Sequence, residues 1–137
     1  MNTFPLRIVT PDGVRFDGEA EELIVRTTSG DTGIMAGHIN YVAPLGMGQA
    51  TVLAEGNKRF GACIGGMISV VDGAVTLVAT TFEWSEDIDV ERANDSRKRG
   101  EAVLSDKSAS NADIVLAKAR IKRALVRSGV AGQRKLY

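Results

Sequence analysis

In 137 residues the chain has one cysteine, one histidine, one tryptophan and three prolines. A single thiol forms no internal disulfide. Cys63, flanked by Ala62 and Ile64, reads as a small buried hydrophobe rather than a nucleophile. His38 stands between Gly37 and Ile39 with no other Cys or His near it, so there is no cluster for a transition metal. No apolar run approaches the length of a membrane span. The start, Met1-Asn2-Thr3-Phe4-Pro5, lacks a secretory or transit signature. The expectation is a cytosolic chain, or one that meets a membrane only through partners. Net charge is +0, and aromatics make up 5%. Both count against a general nucleic-acid binder. Neither phosphate-binding glycine motif, G-x-x-x-x-G-K-[ST] or G-x-G-x-x-G after a strand, occurs. No nucleophile–base pair can be picked out, so no catalytic apparatus is expected.

What is present suits a soluble fold. Apolar residues make up 44% and charged residues 25%. The length allows one ordinary domain or two small ones. Up to about residue 85, short apolar runs are cut by turn signals, as in a sandwich or barrel. Strands are expected over residues 4–10, 14–17 and 23–27, with Pro11-Asp12-Gly13 as a turn and Ser29-Gly30-Asp31-Thr32-Gly33 as a tight loop. Further runs cover 41–45, 50–55, 58–64, 67–71 and 75–79. Gly56-Asn57 and Asp72-Gly73 are hairpin candidates, and Gly65-Gly66 is expected to break a strand.

From Asp89 the period changes. Asp89 is a good N-cap, and Glu86, Asp87 and Glu91 put negative charge where a helix dipole is positive. Val90, Ala93, Ser96, Gly100 and Val103 step by three or four as a stripe of small residues. Ser110-x-x-Asp113 is a capping-box pattern opening a second helix from about Ala112 to Ser128, striped with Ile114, Ala117, Ile121, Ala124 and Leu125 and stopped by Gly129. The two helices read as an antiparallel hairpin that buries little by itself and must rest on something.

Arginines are the sharpest chemical feature. Arg92 opposes the dipole in its own first turn, so it leans into water, reaches a carboxylate or meets an external anion. Arg92 and Arg99 are seven apart, and Arg123 and Arg127 are at i, i+4, so each pair shares a helix face. In a closed hairpin the four can converge on one polyphosphate. The plainer reading is a solvated basic face, neutralised by Glu91, Asp95 and Glu101. Beyond Asp113 the charges are all basic: Lys118, Arg120, Lys122, Arg123, Arg127, Arg134 and Lys135.

Six short pieces stand in a familiar order. They are Ile8-Val9-Thr10-Pro11-Asp12-Gly13, Phe16-Asp17-Gly18, Gly33-Ile34-x-x-Gly37-His38, Gly65-Gly66-x-x-x-Val70, Val75-Thr76-Leu77-Val78-Ala79 and Asp87-Ile88-Asp89-x-x-Arg92-Ala93. In that order, with a two-helix tail, the chain resembles the epsilon subunit of F-type ATP synthases over nearly its whole length, and the absence of a transit peptide points to the bacterial form.

The resemblance implies a ten-stranded β-sandwich over residues 1–85, which joins stalk to ring, and a regulatory helical hairpin over 86–137. It implies a non-catalytic subunit, monomeric when isolated, in the rotating central stalk. Its neighbours would be the gamma subunit, the c-ring and the alpha and beta subunits, peripheral to the cell membrane on its cytoplasmic face. Ser29, Gly30, Asp31, Thr32, Gly33 and His38 would face the c-ring. No cofactor is required, but ATP is an implied regulatory ligand, held by Glu83, Ile88, Asp89, Arg92, Ala93, Arg99, Arg123 and Arg127, with Ile88 and Ala93 against base or ribose. Folded, the hairpin lies on the sandwich; extended along gamma, it opposes hydrolysis.

Three departures stand out. Ala36 replaces the family's usual Pro, Gly100 its usual Ala, and the tail to Tyr137 has no counterpart. Gly100 is expected to weaken the first helix or to allow close helix approach. The rival reading is a module whose basic hairpin contacts nucleic acid.

Overall fold

The computed structural model describes residues 2–133. Arg134 and Lys135 of the basic run lie outside the described residues. Eight strands come first: β1 (Phe4–Thr10), β2 (Gly13–Ala20), β3 (Glu22–Thr27), β4 (Gly30–Met35), β5 (Tyr41–Pro44), β6 (Met47–Ala54), β7 (Asn57–Val71) and β8 (Ala74–Trp84). A single 3-10 turn, Ser85–Asp87, leads to α1 (Val90–Ser105) and α2 (Asn111–Ala131).

The strand order is β2-β1-β8-β7-β6-β3-β4, with β5 also paired to β7. All these pairings are antiparallel except β1 with β8, which is parallel. The pleat decides what is buried. In β1, Phe4, Leu6 and Ile8 go in while Pro5 and Arg7 go out. The same alternation in β3, β6, β7 and β8 builds one core around Leu23, Val25, Val52, Ile68, Leu77 and Phe82.

Eight strands stand where ten were expected; one of the two is lost because Gly65-Gly66 does not interrupt β7. There β7 passes from β6 to β5 as partner, while it keeps one register with β8 from Gly61↔Trp84 to Val71↔Ala74, skipping only Gly65. Glycine is needed because φ is +118° at Gly66, and a Cβ there would lie 1.9 Å from the Val78 carbonyl oxygen. The pair is a bend within a strand rather than its end.

Other turns move by a residue or two. The Ser29–Gly33 loop shrinks to a turn at Thr28-Ser29, and β4 begins at Gly30, paired with Thr27. The hairpin after β6 turns on Glu55-Gly56, both at positive φ, with Asn57 already in β7. The Asp72-Gly73 turn is as expected, again with two positive φ values.

The helix caps match their sequence signals. Asp89 is the N-cap of α1, and its carboxylate accepts from the Arg92 backbone N–H at 3.0 Å. Ser110 and Asp113 form a reciprocal capping box at the start of α2. Gly129, however, does not end α2. The helix runs on to Ala131 because Val130 is buried against Phe60, Ala62 and Ile88, and Gly132 is the C-cap. Tertiary burial here overrides helix propensity. Leu125, expected in the stripe, is half exposed.

Candidate functional site

Where β8 ends, its alternation puts Phe82 and Trp84 in the core and leaves Glu83 facing α2. Trp84 is clamped on several sides. Its ring meets Phe82 edge-on at 4.9 Å and Phe16 at 6.4 Å, and its Nε1 donates to the Arg15 carbonyl at 3.1 Å. The Arg59 guanidinium lies 3.8 Å over the ring and donates to Glu86 at 2.9 Å, which ties the 3-10 turn to β7. Burial pushes the Glu86 carboxyl upward, but hydrogen bonds from Arg59, its own backbone and Ser85 outweigh that and hold it below the ordinary value.

The hairpin docks on this end through two contacts. Ile88 and Val130 pack with Phe60 and Ala62, with Val126 and Ala131 beside them. Arg127 Nε donates to Glu83 at 2.8 Å, both side chains partly buried.

Helix meets helix through small side chains: Ala93, Gly100, Ala117 and Ala124 are buried. A Cβ on Gly100 would lie 2.7 Å from Ile121 Cγ1 and 3.1 Å from the Ala117 carbonyl oxygen. Of the two expectations for Gly100, the structure shows the close approach.

Between the hairpin and the sandwich lies a cavity of about 580 Å³. Its walls hold Arg92 and Arg99 from α1 and Arg120, Arg123 and Arg127 from α2, and Arg15 from β2. Facing these six arginines are three carboxylates, Asp12, Glu83 and Asp89. Among the described residues only Arg127 of the six forms an ion pair. So many unneutralised guanidinium groups repel one another unless an anion lies between them, and Arg forks match phosphate oxygens.

Seven of the eight residues expected at the nucleotide, Glu83, Asp89, Arg92, Ala93, Arg99, Arg123 and Arg127, line this cavity. Ile88 does not; it sits in the docking cluster. Sequence reading missed Arg15, Arg120, Thr10, Asp12, Thr81 and Ser96. Arg120 was legible, since it precedes Arg123 by three and Arg127 by seven on one face. Arg15 is held at the site by long-range bonds to Phe82 and Trp84 at the end of β8, which no local spacing reveals.

The other expected set is less compact. Ser29 and His38 lie at opposite ends of β4, separated by roughly 17 Å of strand. What joins them is β4 itself, an edge strand of the sheet. Asp31 is paired across the strand with Arg26, which holds its carboxyl below the ordinary range. His38 stacks edge-on against Tyr41 at 5.7 Å, and Ile39 beside it is well exposed. Buried Cys63 has its thiol pushed up to about 12 by desolvation. Among the described residues no helix is long and apolar enough to cross a membrane.

Fold and site together define a small two-part module: a β-sandwich carrying a lightly docked helical arm, with an arginine-lined cavity between the two. Comparison with known proteins makes this specific. Residues 3–85 match the family model of the ATP synthase delta/epsilon chain β-sandwich domain, and residues 86–132 that of its long α-helix domain. The ATP synthase epsilon chain of Ruminococcus albus is 38% identical over 98% of this chain and 100% of its own length. That of Bacillus cytotoxicus is 40% identical over the same shares. A chain in the Euglena gracilis mitochondrial ATP synthase (OSCP, F1 and c-ring) has the same fold, with a TM-score of 0.81 at 22% identity over 93% of this chain and 80% of that one. The chain belongs to the ATP synthase epsilon chain family, whose members are non-catalytic subunits of that enzyme.

Proposed function

We propose that the chain couples and regulates a rotary ATP synthase in which ion flow drives ATP formation. The sandwich would seat on the c-ring along the β4 edge, from Ser29 to His38, beside the gamma subunit and below alpha and beta. The exposed Ile39 and Met35 at the His38 end suit an apolar protein contact. The chain would then lie on the membrane's cytoplasmic side only through the complex. The functional division falls between residues 85 and 86, where the sandwich gives way to the arm.

The hairpin is the regulatory part, and ATP is its ligand. One observation carries this: arginines from both helices converge on one cavity that exists only while the hairpin is closed on the sandwich. A triphosphate there neutralises the guanidinium groups and ties α1 to α2. Without it their repulsion favours opening, and the freed arm can oppose hydrolysis. Calorimetry of the isolated protein tests the assignment. Arg92→Ala or Arg127→Ala should abolish ATP binding with the fold intact, and unchanged binding rejects it. Co-purification with alpha, beta and gamma tests the setting.

A further inference from the structure

The sandwich supplies part of the cavity wall. Arg15, half-buried on β2, is fixed to β8 twice: its carbonyl accepts from Trp84 Nε1, and its own Nε donates to the Phe82 carbonyl at 3.3 Å. Those bonds leave the outer guanidinium nitrogens available at the cavity, with no ion pair among the described residues. Thr81 Oγ1, in the same wall, is buried and has no hydrogen-bond partner among the described residues. Across from them, Arg120 lines both this cavity and a second cleft, which runs between the helices to Asp106 and Asp113. The volume lies in the range of small-molecule sites, larger than a lone phosphate needs.

We infer that Arg15 and Arg120 are binding residues for the polyphosphate of a nucleoside triphosphate, so that the ligand clamps the hairpin to the sandwich and not only helix to helix. This rests on the ATP reading above. The arginines of α1 and α2 alone would let a ligand close the hairpin while it swung free of the sandwich. Arg15 belongs to the rigid β layer, so a phosphate shared between Arg15 and the helix arginines fixes the whole arm. A charge-assisted hydrogen bond of this kind contributes about 1.5–3 kcal/mol, or about tenfold or more in affinity.

The test is calorimetry of the full chain with ATP and, separately, with inorganic tripolyphosphate. Arg15→Gln and Arg120→Gln should each weaken both ligands about tenfold. Arg15→Lys should keep part of the affinity, and Arg7→Gln, outside the cavity, should bind like the parent. ATP should also change the emission of Trp84, the only tryptophan, because a phosphate on Arg15 pulls on the backbone that Trp84 holds. Arg120 is on an exposed helix face, so Arg120→Gln remains decisive should Arg15→Gln lower the melting temperature. If Arg92→Ala abolishes binding while Arg15→Gln and Arg120→Gln bind like the parent with silent Trp84 emission, the clamp is wrong and the hairpin site stands. If the parent chain binds no ATP, both fall.

Discussion

The sandwich and the hairpin are built by opposite means. All eight strands of the sandwich contribute to a single buried cluster, with large side chains among them such as Leu6, Ile8, Leu23, Ile68, Leu77 and Phe82. Between its helices the hairpin fully buries only alanines and a glycine, with Ile121 partly buried beside Gly100, and it meets the sandwich through a second, much smaller cluster. Apolar burial stabilises by roughly 25 cal/mol per Å², so the two regions differ several-fold in what holds them. The sandwich is closed by its own composition. The hairpin is closed by a few apolar side chains, the Arg127–Glu83 ion pair and, on the reading above, a ligand. On the proposed function, one chain thus joins a part built to carry load to a lightly held part able to let go.

That contrast can be broken in order of size. Leu23→Ala, in the centre of the sandwich, should lower global stability by about 3–4 kcal/mol in urea unfolding. A loss below 1 kcal/mol would mean the core is not what holds the chain together. Val130→Asp should instead release the arm. The buried charge is avoided by undocking, so the loss is limited to the docking energy, about 2 kcal/mol. Proteolysis within α2 should rise sharply while the sandwich melts nearly as before; equal destabilisation of both regions would erase the distinction.

Gly100→Ala sharpens the comparison. Helix propensity alone gains about 1 kcal/mol. The added Cβ meets Ile121 and the Ala117 carbonyl, and such overpacking costs about 1–3 kcal/mol. The hairpin should therefore open more readily although α1 itself becomes a better helix. A tighter hairpin by hydrogen exchange would show that propensity outweighs packing here.

The smallest effect is the acid dependence of the Arg59–Glu86 tie. The Glu86 carboxyl is held below its ordinary 4.5. A depressed folded value means that the stabilisation is complete above the ordinary value and is lost as pH falls through the lower, folded one. Docking should be insensitive between pH 6 and 8 and weaken only in acid, by a small amount, because the pair is partly solvated. Trp84 emission, read under Arg59, should show an acid transition that Glu86→Gln removes.

Local rules made much of this legible. The pleat of β1, the Asp-Gly turn at 72–73 and the caps at Asp89 and Ser110 depend on neighbours a few residues apart. The misses were tertiary. Gly65-Gly66 looks like a break until β8 is seen to keep the same register on both sides of it. Gly129 looks like a stop until Val130 finds Phe60 and Ile88. Ile88, expected at a nucleotide, packs in that same cluster and does not line the cavity. The helix arginines of the cavity were visible as spacing on two faces. Arg15, sixty-seven residues from the carbonyl it bonds, had no signal to find.

Hydrogen exchange over residues 90–131 of the isolated chain, with and without saturating ATP, tests the contingent closure of the arm most directly. The expected result is rapid exchange in α1 and α2 without ligand, slowed about tenfold or more by ATP, with the β3, β6 and β7 amides slow in both. Helix amides as slow as the sandwich core in the free chain, or helix exchange that ATP leaves unchanged, would contradict it.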